Sequence, residues 1–257
     1  MKLLIATFLC LICLYSCNSK AKNKNELATK KVIIDTLPTI KKKELNITKA
    51  FVLGTFNYKT DSTFVKVNSE YSAKPLYLKS EVNDAFINMY NAAKQDGIFL
   101  VILSGTRNFN EQKAIWERKW NAYSNLKPLH RAQKILEYSS MPSSSRHHWG
   151  TDLDLNNLSN SYFSTEKGKA LYNWLNSNAH RFGFYQVYTN KKNGRTGYNL
   201  EKWHWSYLPL AKPYLEFYNA NINVDDINGF KGFETAKDLR IIENYVNGIS
   251  QAAKNYN

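Results

Sequence analysis

The apolar positions along residues 80–97 follow the helical period. They recur three or four residues apart, at Val82, Ala85, Phe86, Met89 and Ala93. This spacing places them on one face of a helix, and a glycine is a typical helix stop. The pattern therefore predicts an amphipathic helix that ends at Gly97.

The same period predicts further helices. Their ranges are 110–123, 164–183, 209–218 and 235–252. In the second of these, Ser164 or Thr165 is suited to cap the helix N-terminus, and Gly183 to end it.

Short apolar or alternating runs predict the strands. Residues 98–103 are continuously apolar and precede a Ser-Gly turn, which indicates a buried strand. Residues 151–155 alternate polar and apolar, as a half-buried strand does. Residues 184–188 and 202–207 also have strand character. Because helices and strands mix without regular alternation, we expect an α+β fold with an antiparallel sheet flanked by helices.

The first residues have the character of an export signal. Residues 3–15 are apolar and follow Lys2, but a membrane span needs about 20 residues, so residues 1–16 are interpreted as a signal peptide. The run Leu14-Tyr15-Ser16-Cys17 resembles the bacterial lipobox, whose cysteine is lipidated and becomes the mature N-terminus. An ordinary signal peptide with an incidental cysteine is the alternative.

Cysteine usage favours lipidation. The chain has three cysteines, all within the first 17 residues, so a mature Cys17 would be a lone thiol unless it were modified. We therefore expect an exported lipoprotein of the bacterial cell envelope, periplasm-facing or on the outer surface, anchored to a membrane at Cys17. No cysteine is left to bind a metal in the folded domain.

Residues 17–45 are predicted to be a flexible, lipid-anchored linker. From residue 18 onwards they contain eight lysines against three acidic residues, a net charge of +5, and little apolar sequence to bury. Such a segment either contacts anionic lipid or wall polymer, or is only a soluble spacer.

Residues 46–257 are predicted to form a single domain, expected to be a monomer. The whole chain carries +14, and +8 remains on this domain once Lys2 and the linker are subtracted. A basic surface suits an anionic partner. The chain has no nucleic-acid motif and is expected to be exported, so cell-wall polymer fits better than nucleic acid.

Two motifs concentrate the chemistry of the chain. Residues 145–154 read Ser-Arg-His-His-Trp-Gly-Thr-Asp-Leu-Asp, and residues 201–204 read Glu-Lys-Trp-His. They hold three of the five histidines, together with two aspartates and a glutamate. Two imidazoles, one carboxylate and a spare glutamate match a catalytic zinc site with three protein ligands, a position for water and a general base.

Several assignments within these motifs stay open. His148 is a rival ligand, but as the neighbour of His147 it should point the other way if the backbone is extended, so we assign it to packing or to support of the ligands. Asp152 shares a strand face with Asp154. It is able to bind the metal, to accept the second N–H of a ligating imidazole, or to bind a substrate amine.

Three ordered motifs resemble one known family. Ser-x-His-x6-Asp occurs at residues 145–154, Glu-x-x-His at 201–204, and Ser-Gly-x-Arg-x-aromatic-x-x-Gln at 104–112. Together they resemble the VanY-type zinc D-alanyl-D-alanine carboxypeptidases, which have a hedgehog/DD-peptidase-like fold. The resemblance covers at least residues 104–207.

The resemblance implies a role for each matching residue. By it, His147, Asp154 and His204 bind zinc, Glu201 is the general base, and Arg107 engages the substrate carboxylate or the oxyanion. By it, substrate contacts or support are expected of Gln112 and Ser145. A substrate contact of Asp152 is expected from its position on the strand beside Asp154. The sequence departs from the family pattern at Thr106, where an aromatic residue is common, and at Asp152, where a small residue is common.

The expected activity is removal of the terminal D-Ala from peptidoglycan stem peptides. An L,D-carboxypeptidase, a dipeptidase or an endopeptidase on the same wall peptides is the nearest alternative. A peptidoglycan-binding lipoprotein without activity and a structural zinc domain are alternatives of other classes.

Overall fold

Helices and strands run through residues 46–257, the part of the chain that this computed structural model describes. The helices are α1 (Lys49–Val52), α2 (Ser80–Gln95), α3 (Phe109–Ala122), α4 (Pro128–Ile135), α5 (Glu166–Asn178), α6 (Leu208–Asn221) and α7 (Gln251–Lys254). The strands are β1 (Phe64–Lys66), β2 (Tyr77–Lys79), β3 (Ile102–Ser104), β4 (Asp152–Leu155), β5 (Phe184–Gln186) and β6 (His204–Tyr207). The predicted signal peptide and linker lie outside the described residues. No helix within 46–257 is long and apolar enough to cross a membrane.

The main sheet has the strand order β3-β4-β6-β5, and every neighbouring pair in it is antiparallel. β1 and β2 form a separate antiparallel pair. The predicted α+β class with an antiparallel sheet is confirmed. The register of the strands aligns polar residues across the sheet. Asp154 lies opposite both Ser104 on β3 and His204 on β6.

Four of the predicted helices are present as α2, α3, α5 and α6. The helix expected to reach Gly183 ends as α5 at Asn178, and a 3₁₀ segment, Ala179–Phe182, continues to that glycine. Strand β4 was expected to be half-buried, but all four of its residues are buried. Its polar side chains face other buried polar groups instead of solvent, so the alternating pattern misled the prediction.

The predicted C-terminal helix over residues 235–252 is wrong. A 3₁₀ turn (Phe233–Ala236), a π-helical turn (Ile242–Val246) and α7 take its place. Arg240 adopts a left-handed conformation with φ 48°, which a continuous right-handed helix cannot accommodate.

The start of α3 is fixed by a capping box. The side chain of Asn108 accepts a hydrogen bond from the Glu111 amide at 2.9 Å, and the Glu111 carboxylate accepts one from the Asn108 amide at 3.0 Å. β3 ends only four residues earlier, at Ser104. The short segment that carries Arg107 is therefore held between a strand and a capped helix.

Candidate metal centre

Three buried side chains, those of His147, Asp154 and His204, converge on one point. His147 lies on a 3₁₀ turn (Arg146–Trp149), and Asp154 and His204 lie opposite each other on β4 and β6. One donor atom from each lies within 4.8 Å of the others. Since zinc binds nitrogen and oxygen donors at about 2.0–2.2 Å, small side-chain shifts bring all three onto one ion. The sequence prediction that these residues meet is confirmed.

The main chain orients the ring of His147. Its Nδ1 lies 2.8 Å from the carbonyl oxygen of Gly105, which only accepts, so Nδ1 carries the hydrogen. Its Nε2 lies 3.4 Å from Oδ2 of Asp154 and directs a lone pair to the centre. Burial, and then the charge of Arg107, lower the pKa of His147. The ring is therefore held in the neutral form that binds a metal.

Two carboxylates hold the two ring nitrogens of His204. Nδ1 lies 3.1 Å from Oδ1 of Asp154, and Nε2 lies 2.8 Å from Oδ2 of Asp152. Burial alone would lower the pKa of His204, but these two contacts raise it to about 9. Metal binding at Nδ1 replaces a hydrogen there, while Nε2–H keeps its bond to Asp152.

Asp152 supports His204 and does not line the pocket. Its Oδ2 accepts from His204 and from Nε of Arg146 at 3.0 Å, and its Oδ1 accepts from the hydroxyls of Thr151 and Ser206 at 2.8 and 2.7 Å. The residue has no exposed surface. The predicted substrate contact of Asp152 stays a prediction, and acceptance of the second imidazole N–H is the alternative whose contact the structure shows.

Arg146 is a supporting residue that the sequence analysis missed. Its side chain is 1% exposed, its Nε donates to Asp152, and its Nη2 donates to Oγ of Ser206 at 2.7 Å. Burial disfavours the charge of Asp152, yet the adjacent guanidinium keeps the pKa of that carboxyl well below its usual range. The only signal in the sequence was the position of Arg146 directly before His147.

Glu201 faces the centre from the end of the loop before β6. Its Oε2 lies 3.7 Å from Nδ1 of His204, and the side chain is buried in the pocket wall. Burial raises the pKa of Glu201 to about 8, and the nearby charge of Asp154 acts in the same direction. A carboxyl group with a pKa near neutrality is suited to take up and release a proton.

Arg107 also lines the pocket, and two neighbours orient its guanidinium. Nε donates to Oε1 of Gln112 at 2.9 Å, and Nη1 donates to Oγ of Ser104. Nη1 also lies 3.7 Å from Oδ2 of Asp154. Gln112 is itself anchored, since its Nε2 donates to the carbonyl of Ser140 at 2.8 Å. Gln112 therefore supports Arg107 and also lines the pocket, where its substrate contact stays a prediction.

The neighbours of His147 have different environments. His148 points away from the centre, with Nδ1 at 2.7 Å from the carbonyl of Arg107 and Nε2 accepting from the Ser143 amide at 3.1 Å, which agrees with a packing role. Ser145 is 1% exposed, and its Oγ has no hydrogen-bond partner within residues 46–257. Its predicted substrate contact stays a prediction.

The centre opens into a pocket of about 460 Å³. Aromatic and basic side chains that sequence reasoning did not find form much of its wall, namely Lys74, Arg118, Lys119, Tyr138, Tyr188, Tyr198 and Trp203. They lie on separate segments, and only the tertiary fold brings them together.

Two imidazoles, one carboxylate and a buried glutamate in one pocket define a metal site of the catalytic type. The VanY family, described as D-alanyl-D-alanine carboxypeptidase, matches residues 75–210, which include every residue of this centre. The chain belongs to the VanY family, as its motifs predicted.

Two relatives carry the name D-alanyl-D-alanine carboxypeptidase. The one from Enterococcus faecalis (strain ATCC 700802 / V583) is 32% identical over 126 residues, which are 48% of this chain and 45% of the relative. The one from Enterococcus faecium is 27% identical over 136 residues, 52% of this chain and 39% of the relative. The chain thus spans about half or less of the length of the curated relatives it matches.

Solved structures of similar proteins include the LD-carboxypeptidase LdcB, with 26% identity and a TM-score of 0.49 over 72% of this chain and 80% of that one. VanYB in complex with D-alanine-D-alanine has 24% identity and a TM-score of 0.46 over 63% of this chain and 88% of its own.

Proposed function

We propose that this protein is a zinc-dependent D-alanyl-D-alanine carboxypeptidase, which hydrolyses the terminal D-Ala of peptidoglycan stem peptides. One observation carries the proposal. Glu201 and Arg107 approach the same three-residue centre, each 3.7 Å from one of its proposed metal ligands, His204 and Asp154 respectively. A proton acceptor and a cation thus face one centre in one pocket.

The donor set fits zinc. His147 offers Nε2, His204 offers Nδ1, and Asp154 offers a carboxylate oxygen. All three are buried, and hydrogen bonds to Gly105 and Asp152 orient the two imidazoles. A zinc ion bound there would supply a Lewis acid for the scissile carbonyl and lower the pKa of water from about 15.7 towards 7. The protein supplies orientation and a proton acceptor.

Glu201 is the proposed general base. It takes the proton of the attacking water and returns it to the leaving D-Ala amine, so the carboxyl group ends the cycle as it began. Its burial favours uptake of the proton, because burial disfavours the charged form of the carboxylate.

Arg107 is the proposed anchor for the terminal carboxylate of the substrate. A guanidinium matches a carboxylate with two parallel hydrogen bonds. Ser104 and Gln112 hold this guanidinium in the pocket wall, so little side-chain freedom is lost when substrate binds.

The direct test is mass spectrometry of the purified full chain, with zinc and a stem pentapeptide that ends in D-Ala-D-Ala. Loss of one alanine, abolished by EDTA, is the expected result. Cleavage only of tetrapeptides, release of a dipeptide, or cleavage of cross-linked muropeptides would replace the proposal by L,D-carboxypeptidase, dipeptidase or endopeptidase activity. Absence of cleavage of every peptide would leave a binding lipoprotein.

We further propose that a lipid on Cys17 anchors the protein to a membrane of the cell envelope, with the catalytic unit acting as a monomer. The lipobox-like run 14–17 and the confinement of cysteines to the first 17 residues support the anchor. Expression in a bacterial host, followed by detergent partitioning, tests it. Wild type should enter the detergent phase and Cys17→Ala should not. The matched control, Cys13→Ala, should partition as wild type does. Light scattering in detergent checks the monomer.

A further inference from the structure

The pocket carries more positive charge than the proposed chemistry uses. Lys74, Arg118 and Lys119 line it in addition to Arg107. Within residues 46–257, no carboxylate lies within 4.0 Å of the charged nitrogens of these three residues, whereas Arg107 already lies beside Asp154. Cations that face a substrate pocket without an acidic partner indicate an anionic group on the ligand.

Among these three cations, Lys119 is the one whose side chain makes a hydrogen bond within residues 46–257. Its Nζ donates to Oγ of Ser139 at 2.6 Å, and the side chain is half-buried. Burial lowers the pKa of Lys119, and so do the charges of Arg118 and Arg107, while Glu201 raises it. The amine is therefore electrostatically coupled to the centre of the pocket. A preoriented amine binds an anion with less loss of side-chain freedom than a mobile surface lysine.

The positions of Gln112 and Lys119 on α3 give the scale of the distance between the two anion positions. Gln112, which holds Arg107, and Lys119 both line the pocket and are seven residues apart on this helix. At about 1.5 Å per residue, they are separated by about 10 Å along the axis. An extended peptide covers that distance in about three residues.

We propose that Lys119, assisted by Arg118, binds a second carboxylate of the substrate, on the residue two positions before its C-terminus. The inference rests on the proposed function, in which Arg107 binds the terminal carboxylate. It identifies the substrate class as acidic stem peptides with this carboxylate free, in preference to the same peptides with the group amidated.

The test compares two pentapeptides that end in D-Ala-D-Ala and differ only in the residue before that pair. Its side chain ends in a carboxylate in one peptide and in the carboxamide in the other. The full chain in detergent, with zinc, should show kcat/KM about five- to tenfold higher for the acid, a preference that decreases as salt is raised. Lys119→Gln should bring the ratio close to one, and Lys119→Arg should largely restore it. Lys167→Gln, a matched loss of charge on α5 outside the pocket, should leave the ratio unchanged.

Equal rates of wild type on the two peptides, or an unchanged ratio in Lys119→Gln and in Arg118→Gln, would overturn the inference while the proposed function stands. The ratio is internal to each variant, so a partial loss of folded protein does not affect it. If neither peptide is cleaved, the proposed function fails, and the same pair is then titrated by tryptophan fluorescence, since Trp203 lines the pocket. Equal affinities in that titration would also overturn the inference.

Discussion

Nε2 of His204 lies 2.8 Å from Oδ2 of Asp152, a residue that does not itself face the pocket. The contact fixes which ring nitrogen of His204 is available to a metal, because the hydrogen on Nε2 is committed to the carboxylate. Asp152 and Asp154 point to the same face of β4 and hold opposite sides of one imidazole. The metal affinity of the site should therefore depend on a residue that never touches the ion.

Asp152→Asn should weaken zinc binding by about 10–100-fold, because an amide is a poorer acceptor for the imidazole N–H and adds no basicity to the ligand. Competition with a fluorescent chelator measures the affinity, at a temperature where circular dichroism shows the variant folded. Asp84→Asn, an exposed substitution on α2, is the control. Equal zinc affinities of Asp152→Asn and wild type would contradict the supporting role.

Arg146→Gln should lower the free energy of unfolding by about 1.5–3 kcal/mol, since it removes the guanidinium that pairs with the buried carboxylate of Asp152 and leaves that carboxylate to His204 and two hydroxyls. Chemical denaturation measures the change. Arg181→Gln removes an exposed arginine and should change stability by less than about 0.5 kcal/mol. A similar small change for both variants would show that Arg146 does not hold the network together.

Glu201→Gln should keep zinc bound and lose hydrolysis by about 10²–10⁴-fold, because glutamine preserves the shape but cannot accept the proton. Metal analysis and product mass spectrometry on the same sample separate binding from chemistry. The exposed Glu216→Gln serves as the control. Full hydrolysis by Glu201→Gln would exclude this residue as the base.

Gly150 permits the turn between His147 and β4. It has φ 71°, and a Cβ atom there would lie 2.4 Å from the ring of Phe64. Gly194 has a similar φ of 80° with nothing within 4 Å of an added Cβ. Gly194→Ala should therefore cost about 1 kcal/mol of backbone strain, and Gly150→Ala clearly more, because the steric clash adds to it. Thermal denaturation of the two variants measures the difference in their stability, which is the contribution of the steric clash. Equal losses of stability would show that Phe64 moves aside.

The sequence predicted the parts of this fold whose side chains face solvent on one side. Helices α2 and α3 have a polar face, so their apolar period is visible. Strand β4 has no solvent-facing side, since its aspartates face buried partners such as Arg146 and His204. Its alternation of polar and apolar residues therefore wrongly predicted that the polar residues are exposed. The C-terminal segment was mispredicted because the left-handed conformation of Arg240 leaves no mark in the apolar pattern.

In the candidate site, too, the sequence predicted some residues and not others. His147, Asp154, His204 and Glu201 were predictable because zinc chemistry restricts the residue types at their positions. The role of Asp152 depended on which of several partners it meets, and that is decided by the register of β4 against β6. Lys119 reaches the pocket only through the placement of α3, so no local pattern identified it.

Removal of the metal should abolish activity and leave the fold in place. The centre is formed by side chains on the sheet and an adjacent turn, while the apolar core of residues such as Phe86, Trp116 and Leu153 is independent of it. Dialysis against EDTA should therefore leave the circular dichroism spectrum unchanged. The melting temperature should decrease only because the folded state loses the stabilisation that metal binding gave it. Added zinc should restore hydrolysis without a refolding step. Unfolding on chelation would identify a structural zinc domain instead, since such domains derive their folding energy from the metal.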